Sequence, residues 1–271
     1  MEIGVLGCAG RMGRAVMAEV LASEDCRLVG GAEHEGHPAL GHDLGILAGG
    51  DPAGLAASAD APSVIELADA VIEFSTPEAT VGHVALAAQH GTAHVIGTTG
   101  LSEREASRLH QAAERTPVVW APNMSLGVNL LLGLAEKVAR VLGPEAFDIE
   151  ILEMHHRHKA DAPSGTALAL GEAVARGRGI SLEQMAVRSR DGLTGPRQSG
   201  TIGFATLRGG DVVGDHTVVF AGAGERLELT HRAADRRIYA RGALHAARWL
   251  AGRPPGLYRM ADVLGLAPRE A

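Results

Sequence analysis

The sequence predicts an α/β protein with two domains: a parallel sheet covered by helices, then an α+β domain with a mixed or antiparallel sheet. In the first half, short apolar runs alternate with helical patterns, which is typical of βαβ units. After residue 200, three β-rich runs follow one another with no helix between them. A last helical pattern, over residues 234–250, could pack back onto the first domain.

The first half contains five predicted strands and three predicted helices. The strands cover residues 2–7, 27–33, 70–74, 94–98 and 117–121, and the helices cover residues 11–22, 78–90 and 102–115. The glycine- and alanine-rich stretch over residues 49–62 is predicted to be a loop.

The pattern changes after Pro122. Residues 125–142 are predicted to form a helix, because aliphatic side chains share one stripe before Gly143 and Pro144 end it. Strands are predicted over residues 147–154, 201–207, 212–220 and 225–231, and helices over residues 167–176 and 234–250. We therefore assign residues 1–124, completed by residues 235–271, to one domain and residues 125–234 to the other.

Composition excludes several classes of protein. The formal net charge of −7 argues against nucleic acid as a partner, because phosphate binding needs a basic face. No apolar stretch reaches the ~18 residues that span a bilayer, and Met1 leads almost directly into the first strand, leaving no room for a signal peptide. Two cysteines, Cys8 and Cys26, do not make a disulfide framework. We expect a cytoplasmic protein with no membrane partner.

A glycine-rich loop over residues 7–13 lies between the first predicted strand and the first predicted helix. Glycine lets the turn close and lets the backbone approach a pyrophosphate at the helix N-terminus, and Gly13 would permit close helix–strand packing. Glu33 ends the second strand, where an acidic side chain typically accepts hydrogen bonds from an adenosine ribose. The alternative is a glycine-rich turn without a ligand. Because the loop lies between a strand and a helix and an acidic residue ends the next strand, we predict a Rossmann-type dinucleotide-binding domain.

Glu33 and His34 bear on which dinucleotide binds. A 2′-phosphate needs a cation, and Glu33 would repel it unless a neighbour compensates. His34 is that neighbour, and an ordinary imidazole is mostly neutral at pH 7. We therefore expect NADH to bind at least comparably to NADPH.

Four cation-capable side chains follow the strand predicted over residues 147–154: His155, His156, His158 and Lys159. A metal site is one interpretation, but adjacent histidines on a strand point to opposite faces, and no familiar zinc-ligand spacing completes a ligand set. An exposed polar turn is a second interpretation. In a third, the segment is an anion-binding catalytic site, where Lys159 supplies a positive charge and a proton and His155 acts as a general acid.

The residues that follow favour the third interpretation. Residues 163–166 open the helix predicted over residues 167–176, so N–H groups at its N-terminus can hold a carboxylate. Cation-capable side chains beside a helix N-terminus suit a small dianionic substrate. We predict no metal.

Motifs along nearly the full chain resemble one known family. Residues 153–167 look like the signature of the 4-hydroxy-tetrahydrodipicolinate reductases, also called dihydrodipicolinate reductases. The other matching segments are residues 7–13, 97–100, 121–129, 200–205, 214–217 and 224–231.

The resemblance implies a reaction and a set of site residues. The family reduces a cyclic product of aspartate semialdehyde and pyruvate on the diaminopimelate route to lysine; the 4-hydroxyl leaves as water and hydride is delivered to C4. By position, His155 and Lys159 would be the acid/base and the proton donor, and His156, Gly165 and Thr166 would bind substrate. The implied cofactor-binding residues are Gly7, Cys8, Ala9, Gly10, Arg11, Met12, Gly13, Glu33, His34, Gly97, Thr98, Thr99, Ala121, Pro122, Asn123 and Met124. The family also implies a homotetramer formed through the second-domain sheet.

Two other classes of protein remain open at this stage. One is a different hydride-transfer enzyme on the same scaffold, such as an amino-acid or semialdehyde dehydrogenase, because a fold does not fix its chemistry. The other is a non-catalytic, dinucleotide-binding regulator. The first leaves the histidine- and lysine-rich segment unexplained, and the second would not need His155 and Lys159 beside an anion site.

Overall fold

The computed structural model describes residues 1–266, which form two compact units. Unit 1 contains residues 1–126 and 237–266, and unit 2 contains Gly127–Arg236. The observed divisions fall two residues after the predicted boundaries at residues 124 and 234. Of the segment over residues 235–271 that we expected to complete the first domain, residues 267–271 lie outside the described residues.

Strands and helices are numbered along the chain. The strands are β1 (Glu2–Leu6), β2 (Arg27–Ala32), β3 (Ala70–Glu73), β4 (Ala93–Ile96), β5 (Pro117–Trp120), β6 (Phe147–His155), β7 (Ala186–Val187), β8 (Ile202–Arg208), β9 (Gly214–Gly222), β10 (Glu225–Ala233) and β11 (Gly256–Tyr258). The helices are α1 (Arg11–Leu21), α2 (Leu44–Leu47), α3 (Ala61–Leu67), α4 (Pro77–His90), α5 (Glu103–Ala113), α6 (Leu126–Val141), α7 (Gly165–Arg178), α8 (Leu182–Met185), α9 (Arg237–Leu250) and α10 (Met260–Val263).

Unit 1 is built on a six-stranded sheet in the order β11-β5-β4-β3-β1-β2, with every neighbouring pair parallel. All residues of β3 and β4 are buried, as expected for a parallel sheet covered on both faces. Helices α1 and α9 pack in one core with Ile3 and Val5 of β1. Residues of α3, α4 and α5 contribute to two further clusters of buried side chains.

The prediction of a loop over residues 49–62 is wrong at its C-terminal end, because α3 begins at Ala61. The carboxylate of Asp60 accepts a hydrogen bond from the N–H of Ser63, and Pro62 fits the first turn because its missing N–H would have no intrahelical acceptor. The sequence patterns also missed the short elements α2, α8, α10, β7 and β11.

Unit 2 is built on a five-stranded mixed sheet in the order β10-β9-β6-β8-β7. Strand β8 is parallel to both β6 and β7, whereas β9 is antiparallel to β6 and β10. Leu131 of α6 and Leu170 of α7 pack with Ile151 of the central strand β6. On the sheet, the exposed side chains include Leu152 and Leu207, which are 39% and 48% exposed. The mixed sheet confirms the predicted architecture of the second half.

Candidate active site

The loop after β1 has the backbone that its glycines predict. Gly7 adopts a φ of +75°, which favours glycine. A Cβ on Gly13 would lie 2.1 Å from the carbonyl oxygen of Gly7, so only glycine allows α1 to approach the strand end so closely. Gly10 is the N-cap of α1 and leaves the helix without a side-chain cap. The start of α1 therefore presents backbone N–H groups to an anion.

The side chains of this loop are distributed between the core and the surface. Cys8 and Ala9 are buried, Met12 is partly buried, and Arg11 is exposed. Burial and the nearby charge of Glu33 raise the pKa of the Cys8 thiol to about 11, so it stays protonated at neutral pH. Cys8 thus acts as a small core residue within the loop.

The carboxylate of Glu33 reaches back to the same loop. Its Oε2 accepts a hydrogen bond of 3.2 Å from the N–H of Ala9, and its Oε1 accepts one of 3.1 Å from the N–H of His34. The His34 side chain is exposed, and its ring lies edge-to-face against that of His37, with centroids 5.0 Å apart. Glu33 is held beside the glycine loop, and His37 is a neighbour that the sequence motif did not indicate.

The segment after β4 is positioned by buried contacts. A Cβ on Gly97 would lie 2.1 Å from the ring of Phe74. The hydroxyl of Thr98 is buried and accepts hydrogen bonds from the N–H of Ser75 at 3.2 Å and the hydroxyl of Thr80 at 2.9 Å. Thr99 is exposed. The side chain of Thr98 is therefore bound within unit 1 and is not available to a ligand.

The segment after β5, residues 121–124, also contains both buried and exposed residues. Ala121 is buried and donates its N–H to the carbonyl of Ile96, and Pro122 is exposed. The amide oxygen of Asn123 accepts a hydrogen bond from the N–H of Ser125. Met124 is 1% exposed and packs in the core of unit 1. Because the Met124 side chain is enclosed in this core, its assignment to the cofactor site stays a prediction that concerns its backbone.

In unit 2, a buried carboxylate lies beneath His155, the last residue of β6. Nδ1 of His155 is 2.6 Å from Oε2 of Glu153, and both residues are buried. Arg208 of β8 donates to the two carboxylate oxygens at 2.8 Å and 2.9 Å. Burial alone would raise the pKa of Glu153, but the hydrogen bonds from Arg208, His155 and the N–H of Ser164 outweigh it and lower that pKa. Glu153 is therefore an anion that fixes the ring of His155.

The same carboxylate connects to the Lys159 loop and to α7. The N–H of Ser164 donates to Oε1 of Glu153 at 3.0 Å, and Arg208 donates to the carbonyl of Asp161. Ser164 caps α7, accepting a hydrogen bond from the N–H of Ala167. One ion pair thus holds the end of β6, the loop over residues 156–164 and the start of α7.

His216 of β9 contacts two members of the Glu153 network, His155 and Ser164. Its ring lies edge-to-face against that of His155, with centroids 5.0 Å apart, and its Nε2 is 3.2 Å from the hydroxyl of Ser164. Burial and the adjacent His155 lower the pKa of His216 to about 4. His216 therefore remains neutral near pH 7.

Lys159 and the α7 N-terminus form the cationic side of the site. Nζ of Lys159 lies 2.9 Å from Oδ1 of Asp161, whose side chain is largely exposed. This ion pair lowers the pKa of Asp161. Gly165 is exposed at the start of the 14-residue helix α7, and Thr166 follows it, partly buried. The partly exposed ammonium and the helix N-terminus provide two features that attract carboxylates.

A cavity of about 640 Å³ lies next to His156 and carries more positive than negative side chains. Partial burial and the charge of Arg236 lower the pKa of His156. The other residues that line the cavity are Arg157, His158, Gly210 and Asp211. His155 and Lys159 do not line it, so the cavity is adjacent to the Glu153 network rather than centred on it. The sequence interpretation missed Arg236 because this residue lies about 80 positions after His156 in the chain.

Two further features bear on the classes considered above. Within residues 1–266, no group of three or more His, Cys, Asp or Glu side chains is arranged to hold a metal ion. Over the same described part of the chain, no helix combines the length and the apolar character needed to cross a membrane.

Comparison with known proteins gives consistent matches in both halves. Residues 1–124 match the family model described as dihydrodipicolinate reductase, N-terminus, and residues 127–264 match its C-terminus. The chain is 57% identical to the 4-hydroxy-tetrahydrodipicolinate reductase of Parvibaculum lavamentivorans, covering 98% of each chain. It is 56% identical to the reductase of the same name from Afipia carboxidovorans, covering 100% of this chain and 99% of the relative.

Among solved structures, the chain is similar to the dipicolinate-bound dihydrodipicolinate reductase from Paenisporosarcina sp. TG-14. The TM-score is 0.78 at 23% identity, over 97% of this chain and 98% of the other. This likeness confirms the α/β fold class predicted from the sequence. The two family models and the relatives above 50% identity confirm the predicted family. The chain belongs to the 4-hydroxy-tetrahydrodipicolinate reductase family, whose members are oxidoreductases dependent on a pyridine nucleotide.

Proposed function

We propose that this chain reduces 4-hydroxy-tetrahydrodipicolinate to tetrahydrodipicolinate with NAD(P)H, in the diaminopimelate route to lysine. The observation that carries the proposal is the meeting of His155, the Lys159 loop and the start of α7 around the carboxylate of Glu153. This arrangement brings a proton-transfer group and cationic groups together, as reduction of a dicarboxylate ring requires.

The residues of unit 1 fit a dinucleotide. Gly7 and Gly13 allow backbone to approach a pyrophosphate, α1 begins without a side-chain cap, and Glu33 is turned toward the loop. The bound dinucleotide supplies the hydride, while the protein supplies orientation and charge. We assign Thr98, Ala121 and Met124 to this site through their backbone atoms, and Thr99, Pro122 and Asn123 as neighbouring contacts.

The residues of unit 2 supply protons and bind the substrate. The overall reaction takes up one hydride and one proton, and it releases the 4-hydroxyl as water. With Nδ1 held by Glu153, His155 can exchange a proton at Nε2. Lys159 provides a second proton-bearing group, and its charge favours an anionic ring substituent. The similar structure bound to dipicolinate supports a small dicarboxylate as ligand.

The two substrate carboxylates need separate partners. We assign one to Lys159 and to the backbone of Gly165 and Thr166 at the start of α7, where the helix dipole favours an anion. His156 borders the positively charged cavity, which also includes Arg236 and suits the other carboxylate. Asp161 would release Lys159 as the substrate carboxylate takes its place.

The cofactor preference, the assembly and the location are part of the proposal. Because Glu33 would repel a 2′-phosphate and the exposed His34 is not a permanent cation, we propose that NADH binds at least comparably to NADPH. We propose that unit 1 binds the dinucleotide and unit 2 the substrate. The exposed Leu152 and Leu207 support assembly of a homotetramer through the unit 2 sheet. We propose that this homotetramer works in the cytoplasm.

A coupled assay tests the reaction. NADH oxidation is followed after mixing fresh aspartate semialdehyde, pyruvate and the upstream synthase with this protein, and we expect turnover only when all components are present. Omitting the synthase is the control, because an amino-acid or semialdehyde dehydrogenase would then still oxidise NADH by reducing pyruvate or aspartate semialdehyde directly. Absence of turnover with tight NADH binding would instead favour a regulator and overturn the proposal.

A further inference from the structure

Unit 1 contains a buried carboxylate that the proposed mechanism does not use. Glu73, the last residue of β3, is 0% exposed. Nδ1 of His83 lies 2.7 Å from its Oε1, and Nε2 of His94 lies 2.9 Å from its Oε2. The His83 contact is an aligned hydrogen bond, whereas the His94 contact is a close ion-pair approach without that alignment. Burial alone would raise the pKa of Glu73, but the two imidazoles outweigh it and lower that pKa to about 2.

A chain of hydrogen bonds connects Glu73 to the segment after β4. The hydroxyl of Ser75 donates to Oε1 of Glu73, and the N–H of Ser75 donates to the hydroxyl of Thr98 at 3.2 Å. Thr80 also donates its hydroxyl to Thr98. The backbone N–H of Gly97 donates to the carbonyl of Glu73 at 2.8 Å. The loop over residues 97–99 therefore contacts Glu73 directly through the backbone of Gly97, and Thr98 is linked to the Glu73 carboxylate through Ser75.

The strand order shows which half of a dinucleotide would lie over this loop. Strand β1 lies between β2 and β3, and β4 follows β3. If the pyrophosphate sits at the start of α1 and Glu33 after β2 holds the adenosine ribose, the other half must extend across the ends of β3 and β4. This placement rests on the proposed function.

We propose that Glu73 is a positioning residue for the nicotinamide half of the cofactor, acting through Ser75 and Thr98. Its carboxylate does not touch the cofactor in this arrangement. A buried ion cluster is a weak source of net stability, since desolvation offsets much of the attraction. Its connection to the loop gives the cluster a role that a purely apolar core would not provide.

Binding of two ligands distinguishes a positioning role of Glu73 from a general effect on the stability of the fold. NADH and ADP-ribose share the adenosine and pyrophosphate groups, and only NADH has a nicotinamide. In Glu73→Gln, we expect the Kd of NADH to rise by about tenfold, the loss typical of one hydrogen bond to a charged group. The Kd of ADP-ribose should stay within about twofold of its original value, as the Glu33 side of the site is unchanged. Glu66→Gln, at an exposed position of α3, is the matched control and should change neither affinity.

Calorimetric titration of the full chain distinguishes the outcomes. Equal weakening of both ligands, or no change in either, would overturn the positioning role. If Glu73→Gln does not fold, Ser75→Ala tests the same connection from a partly exposed position; selective weakening of NADH supports the proposal, and unchanged NADH affinity contradicts it. Failure of the unmodified protein to bind NADH at all would instead reject the proposed function.

Discussion

Nδ1 of His155 lies 2.6 Å from Oε2 of Glu153, and the carboxylate is paired on its other side with Arg208. An ionised carboxylate only accepts hydrogen bonds, so the ring places its Nδ1 hydrogen on this contact, and Nε2 is the atom that would exchange a proton in the proposed reaction. The charge of Arg208 balances that of Glu153. His155 therefore has a fixed orientation without an uncompensated anion beside it.

Replacing Glu153 with Gln should remove this orientation. We expect kcat to fall by at least about tenfold and by no more than the ~10²–10⁴-fold that general acid–base catalysis contributes, while NADH affinity is retained. The pH dependence of kcat should also change shape, which a loss of folded protein alone would not cause. Glu172→Gln, at an exposed position of α7, serves as the control. Unchanged kcat and an unchanged pH profile in Glu153→Gln would reject the orienting role.

Replacing Lys159 with Ala should remove a proton donor and a carboxylate partner. We expect kcat/KM to fall by at least ~10²-fold, with the Kd of NADH nearly unchanged. The chain offers a matched control in Lys137, an exposed residue of α6 and the other lysine in the sequence. Steady-state kinetics in the coupled assay make the measurement. Full activity in Lys159→Ala would overturn the role assigned to this residue.

His34 allows a direct test of cofactor choice. Titration of the unmodified protein should give a Kd for NADH comparable to, or lower than, that for NADPH. His34→Arg should lower the Kd of NADPH by about tenfold, because a permanent guanidinium can pair with the 2′-phosphate. The Kd of NADH should change little. A strong NADPH preference before any substitution would contradict our assignment.

The lowered pKa of His216 predicts that the folded protein loses stability in mild acid. Its folded-state pKa of about 4 is below the ordinary value of 6.5, so between these values the unfolded chain binds a proton that the folded chain does not. Stability must therefore fall as pH drops through this window, by about 2 kcal/mol between pH 7 and pH 5 from this residue.

Urea unfolding at both pH values measures this effect. His216→Gln should be less stable at pH 7 but should lose about 2 kcal/mol less than the original chain on moving to pH 5. An equal loss in both proteins would show that His216 is not the group responsible. His110→Gln, on the surface helix α5, controls for the removal of an imidazole.

Sequence reasoning predicted the features that depend on local pattern. The apolar runs of unit 1, the glycine loop and the long helix α6 were found because periodicity and turn chemistry act over a few residues. Strand β11 was missed because its three residues are too few to show a period. Helix α3 was missed because the alanine, proline and glycine around it also suit a loop.

The candidate site was predicted less completely, for a geometric reason. Arg208 meets Glu153 because β6 and β8 pair in parallel, which places His155 opposite Arg208. No local pattern gives the register between strands that are 55 residues apart along the chain. A motif also cannot show which way a side chain turns, and so Thr98 and Met124 were assigned with their motifs although both side chains face the interior.

The division of unit 1 into two chain segments has a consequence for synthesis. When residue 126 leaves the ribosome, β5 lacks its neighbour β11 and the sheet lacks α9. At 5–20 residues per second, the intervening residues 127–236 take on the order of ten seconds to translate. During that interval the nascent chain carries an incomplete unit 1 sheet, whereas unit 2 is contiguous in the sequence. The growing polypeptide thus depends on its last-made residues to complete the core that it began first.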